Sequence, residues 1–90
     1  MNRVELVALM AEKSGLTKTD ADKALSAFVD SVTETLAKQE EIRLIGFGTF
    51  AVAHRNASEA RNLHTGETIA VPERNVPKFK PGKTLKDAVA

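Results

Sequence analysis

The sequence predicts an α+β fold: two N-terminal helices, a three-stranded antiparallel sheet drawn out into a long projecting β-arm, and a short C-terminal helix. Three observations lead there. Apolar residues recur at steps of three and four from Val4 to Leu36. From Glu41 the pattern changes to the alternation of strands. Gly46, Gly48, Gly66, Pro72, Pro77 and Pro81 then punctuate the second half. Ninety residues make one domain. It is read as a helical base with the first strand (1–45), a β-hairpin and arm (46–77), and a last strand with the C-terminal helix (78–90).

Each element has a local reason. Asn2 with Glu5 three residues on has the form of a capping box and starts the first helix, which Gly15 ends. Thr17 with Asp20 repeats the start signal, and Ala21, Ala24, Leu25, Phe28, Val29, Val32 and Leu36 form the apolar stripe of a helix ending near Lys38. Ile42 and Leu44 fall on one side of a strand, and Gly46 and Gly48 permit a tight reversal beside Phe47 and Phe50. The twelve residues from Phe50 to Arg61 would reach about 40 Å if extended. Beyond Val52 they carry little apolar bulk, so they read as one strand of a hairpin projecting from the body. Thr65-Gly66 lies at its tip and Thr68–Val71 on its return. Val76–Lys80 is an edge-like strand because of its prolines, and Lys83–Val89 a closing helix.

Composition narrows the chemistry. There is no cysteine, no apolar run near the ~20 residues of a membrane span, and no signal peptide. So small a core without disulfide or metal predicts oligomerisation. The net charge of +1 hides an asymmetry. Residues 1–50 carry six bases against eight acids, whereas residues 51–90 carry seven bases against four, which points the second half at an anionic partner. The two histidines, His54 and His64, have no evident base or metal partner, so neither catalysis nor a metal or other cofactor is expected. The helical pair could suggest a DNA-reading helix-turn-helix. Asp20 and Asp22 at the start of its second helix would repel phosphates, and a structural hairpin is the better reading.

The order helix–helix–strand, Gly46-Phe47-Gly48-Thr49-Phe50, Arg55, Arg61-Asn62, Thr65-Gly66, Phe79 and Gly82-Lys83-Thr84-Leu85-Lys86-Asp87-Ala88-Val89 resembles the bacterial HU/IHF family of DNA-bending proteins over the whole chain. The resemblance implies an intertwined homodimer, or a heterodimer with a related subunit, whose β-arms enter the minor groove of double-stranded DNA and bend and compact it with low sequence specificity. It also implies a cytoplasmic, nucleoid-associated protein that is not an enzyme. Carried over by position, Arg55, Arg61, Asn62, Leu63, His64 and Arg74 lie on the arm, and Arg3, Lys80, Lys83 and Lys86 meet phosphates along the body. Family members usually have proline where this chain has Leu63. Over residues 51–77, Arg55, Arg61 and Arg74 are balanced by Glu59, Glu67 and Glu73, leaving an arm of zero formal charge. That balance supplies an alternative: an interaction protein of this fold, with weakened DNA binding, that acts by dimerising with a relative.

Overall fold

The computed structural model describes residues 1–61 and 66–90. They divide into two compact units, Met1–Glu34 and Thr35–Ala90.

In the first unit, α1 spans Arg3–Ser14 and α2 begins at Lys18 and runs to Ala37. Both starts are the capped ones the sequence indicates. Asn2 Oδ1 accepts from the Glu5 N–H at 2.9 Å, and Thr17 Oγ1 from the Asp20 N–H at 3.1 Å. Gly15 ends α1 in the left-handed conformation, φ 77°, with its N–H on the Ala11 carbonyl. Arg3 ties the two helices together: its guanidinium reaches Asp22 Oδ1 at 3.1 Å and Ser26 Oγ at 2.7 Å.

The second unit opens with the end of α2, which the sequence does not announce by a glycine. Gln39 takes the left-handed position at φ 61°. Its N–H donates to the Leu36 carbonyl at 2.9 Å, while the Glu40 N–H reaches back to the Thr35 carbonyl at 3.2 Å. This is the paired 6→1 and 5→2 bonding of a Schellman end. The bonds are worth enough to hold a residue with a Cβ in a conformation that costs it ~1–2 kcal/mol. Gln39→Gly removes that cost, and urea denaturation should show a gain of about 1 kcal/mol.

The sheet is antiparallel, with order β1 (Ile42–Leu44), β2 (Gly48–Arg55), β5 (Arg74–Pro81). Between β2 and β5 lie β3 (Ser58–Arg61) and β4 (Thr68–Val71), which pair with each other. The proline-bearing strand is at an edge, as expected, although it starts at Arg74 rather than Val76. The long hairpin is one register in two pieces, and the uninterrupted strand expected from Phe50 to Arg61 does not form. From Arg55↔Arg74 to Ser58↔Val71 each strand advances three residues, so no bulge is inserted. Asn56-Ala57 and Pro72-Glu73 simply leave the ladder. Pro72 has no N–H to give it.

On one side of the sheet the rings of Phe50 and Phe79 lie 4.8 Å apart and those of Phe47 and Phe79 5.3 Å apart, both tilted. The chain by itself covers little of its apolar surface. Among the described residues only Val7 and Ala21 are buried hydrophobic side chains, whereas Phe28, Phe47 and Phe79 each expose about 40% of their area (42%, 44% and 39%). A soluble protein does not leave several phenylalanines so open unless another chain covers them. The α+β expectation is met, and its corollary of assembly follows from the missing core.

Candidate nucleic-acid interface

Strand alternation and register sort the sheet into two faces. The pairs Ile42↔Phe50 and Phe50↔Phe79 put Ile42, Leu44, Phe50, Val52 and Phe79 on one side. Arg43↔Thr49 and Thr49↔Lys80 form a rung on the other, followed by Ala51↔Lys78, Ala53↔Val76 and Arg55↔Arg74. This second face holds Arg43, Arg55, Arg74, Lys78 and Lys80, all exposed, and the three strands contain no Asp or Glu. Thr49, Ala51, Ala53 and the half-buried Val76 run between the cations. The result is a shallow surface of one sign, which attracts a polyanion.

One of the arm's three balancing glutamates is set apart from its cations. Glu73 is turned to the apolar side, where its Oε2 lies 3.5 Å from His54 Nε2. His54 Nδ1 donates to Asn75 Oδ1 at 2.9 Å. The histidine thus has a partner on the neighbouring strand, Asn75, and a second, Glu73 just before that strand, when its ring is protonated. The sequence hides them because strand register, not spacing, brings them together.

At the body end, a tight turn sets the start of the last helix, α3 (Lys83–Val89). Gly46 adopts φ 83°, and the Phe47 N–H closes onto the Leu44 carbonyl at 3.0 Å. The Phe47 carbonyl in turn accepts from the Gly82 N–H at 2.8 Å. A Cβ on Gly82 would come within 3.2 Å of that carbonyl, so glycine is what lets the chain pass so close. Lys80, at the end of β5, and Lys83 and Lys86, on α3, are exposed and held beside this turn by backbone bonds.

Of the other residues singled out in the sequence, Arg3 is in the first unit, with its guanidinium engaged by Asp22 and Ser26. Arg61 pairs with Thr68 in the outer ladder. Asn62, Leu63 and His64 lie outside the described residues. Lys78, which the sequence groups with Lys80, Lys83 and Lys86 as a candidate phosphate-binding cluster, lies on this face, and so does Arg43, which the sequence shows only as the polar residue between Ile42 and Leu44.

Among the described residues no three His, Cys, Asp or Glu side chains are grouped to hold a metal ion, and no helix is long and apolar enough to cross a membrane. An open groove of about 380 Å³ in the first unit is lined by Val4, Val7, Arg3, Asp22 and Lys18. Its one acid is already paired with its arginine.

The profile of the family described as bacterial DNA-binding protein matches residues 1–90. The chain belongs to that family. DNA-binding protein HU of Geobacillus stearothermophilus is 54% identical over 89 residues, covering 99% of each chain. DNA-binding protein HRL53 of Rhizobium leguminosarum is 55% identical over 89 residues, covering 99% of this chain and 98% of its own. Among solved structures, Anabaena HU in a cocrystal with DNA matches with a TM-score of 0.91 at 39% identity, over 100% of this chain and 98% of that one. HU from Thermotoga maritima matches with a TM-score of 0.70 at 33% identity over the full length of both chains. The family is one of DNA-binding proteins and not of enzymes. Two helices, a three-stranded sheet and a closing helix are the HU fold.

Proposed function

We propose that the chain is the subunit of a dimeric architectural protein that binds double-stranded DNA with low sequence specificity, and bends and compacts it. The observation that carries this reading is the acid-free sheet face of Arg43, Arg55, Arg74, Lys78 and Lys80. The neighbour crystallised with DNA supports it. Phosphate contacts by this face, with Lys83 and Lys86 on α3, supply affinity and carry no sequence information. Arg61, Asn62, Leu63 and His64 at the outer arm would enter the minor groove, which is read by width and deformability. Arg3 has a smaller part, since a phosphate must compete with Asp22 for it. The protein acts in the cytoplasm, on the nucleoid, without cofactor or catalysis. The rival reading of weakened DNA binding drew on the arm's formal neutrality. It loses part of that support because Glu73, one of the three balancing glutamates, faces away from the cations.

Gel-shift titration against straight, nicked and cruciform duplexes at two salt concentrations tests the reading. Binding to all three that weakens steeply with salt is expected. No shift at low salt would overturn it.

The dimer has its own test. The second subunit, of the same kind or a related one, covers the exposed Phe28, Phe47 and Phe79. The melting midpoint should therefore rise with protein concentration, and Phe47→Ala should weaken assembly and folding together. A folded species of 9.7 kDa at micromolar concentration in light scattering would contradict it.

Leu63, which the sequence places between the two outer strands, is the apolar residue that would wedge between base pairs. Leucine must give up ~0.5–1 kcal/mol of rotamer freedom on insertion, and unlike proline it does not stiffen the turn. Leu63→Pro should sharpen the preference for bent or nicked duplexes, and Leu63→Asp should remove it, with much less effect on non-specific binding. Energy transfer across end-labelled duplexes checks this: equal bend angles for all three proteins would show that the tip is no wedge.

A further inference from the structure

Arg55 and Arg74 stand directly opposite each other on the last rung of the β2–β5 ladder. Cross-strand partners have Cβ atoms about 4.5–5.5 Å apart, and like charges at that separation repel. Both side chains are exposed, and among the described residues neither guanidinium has an ion-pair partner. Beyond this rung the ladder stops for two residues on each strand, Asn56-Ala57 and Pro72-Glu73, so no backbone bonding on that side resists the repulsion. A cation pair at the frayed end of a ladder should spread its strands.

The reverse face holds what opposes that. One rung inward, His54 Nδ1 donates to Asn75 Oδ1 at 2.9 Å, while His54 Nε2 lies 3.5 Å from Glu73 Oε2. His54 precedes Arg55 in the chain, and Glu73 and Asn75 flank Arg74. The imidazole therefore stitches Asn75, a chain neighbour of Arg74, to the strand of Arg55 on the side of the sheet away from the two guanidiniums, and it attracts Glu73 as well only when it is protonated.

We propose that Arg55 and Arg74 form a paired-guanidinium clamp for one DNA phosphate, and that His54 is the positioning residue that holds the clamp together through Asn75. The proposal rests on the DNA-binding reading. Guanidinium presents a planar fork of donors that matches phosphate oxygens, and two forks on one rung can share a single phosphate. The phosphate then replaces the repulsion with two attractions. In the free protein the His54 stitch does that holding alone. Its effect on DNA should therefore depend wholly on Arg74, although His54 itself touches no phosphate.

The test is a double-mutant cycle on the full chain, with a random-sequence duplex titrated across a salt series. Arg74→Ala should lower affinity with little change in the slope of log K against log salt, because Arg55 still neutralises the shared phosphate, whereas Arg55→Ala with Arg74→Ala together should reduce the slope by about 0.9. His54→Ala should lower affinity by roughly two- to fivefold with the slope unchanged, the range of one cross-strand pair. In the Arg74→Ala background, His54→Ala should cost nothing further, since no repulsion remains to be held. His54→Gln, which retains a donor, should recover part of the loss. If His54→Ala costs the same in both backgrounds, it is only a fold contact and the positioning role is wrong. A smaller salt slope for His54→Ala would mean that it meets phosphate itself. If Arg55→Ala and Arg74→Ala add independently, there is no shared phosphate. Absence of binding by the unmodified chain would instead overturn the DNA reading, and the clamp with it.

Discussion

Gly48→Ala is expected to cost about 3 kcal/mol or more and to lower the melting midpoint by more than ~10 °C. A Cβ at this position would lie 2.6 Å from the Lys80 carbonyl oxygen and 2.6 Å from the Phe79 ring. The oxygen belongs to the neighbouring strand and cannot swing aside, and the ring is already packed on Phe47 and Phe50. Relief would need β2 and β5 to separate, where Gly48 pairs with Pro81. Gly15→Ala is the control. Its φ is +77° but nothing lies within 4 Å, so it should lose only the ~1–2 kcal/mol of a left-handed Cβ. Comparable losses for the two substitutions in calorimetry would show that crowding between β2 and β5 is not what requires glycine.

Replacing Arg43, Lys78 and Lys80 together by alanine should reduce affinity for duplex DNA by about two orders of magnitude or more at low salt. If each meets one phosphate, the slope of log K against log salt falls by about 2.7. Stability should hardly change. All three are exposed, and none has an ion-pair partner among the described residues. Lys13→Ala with Lys23→Ala, on the helices, removes charge away from the sheet and should change the slope far less. Fluorescence anisotropy across a salt series separates the two sets. An equal response to both would mean that net charge, not the sheet face, sets binding.

What the sequence discloses depends on how far apart the interacting groups lie along the chain. The helix starts at Asn2 and Thr17 were legible because a side-chain oxygen and the N–H it caps are three residues apart. The stop at Gly15 was legible because glycine is the usual left-handed residue. The stop at Gln39 had no such signal, since there the bonds from Gln39 and Glu40 hold an ordinary side chain in a glycine conformation. Alternation assigned Ile42 and Leu44 to a common face but could not say which cations share the other. That needs the pairing of β1 with β2 and of β2 with β5. The partners of His54 are 19 and 21 residues away, and only register connects them. For the same reason a charge count over the arm does not show that Glu73 lies on the side away from Arg55 and Arg74.

The missing rungs at Asn56-Ala57 and Pro72-Glu73 divide the hairpin in energy as well as in hydrogen bonding. A two-stranded ribbon is marginal in water when nothing else packs on it. The amides of Ser58–Arg61 and Thr68–Val71 can therefore exchange with solvent through a small opening of their own, while those of Gly48–Arg55 share the protection of the three-stranded sheet. Duplex DNA that binds only the closed ribbon draws that opening equilibrium shut, so association carries an ordering entropy that rigid docking lacks. Warming should then loosen the outer arm's hold on DNA well below the temperature at which the body unfolds.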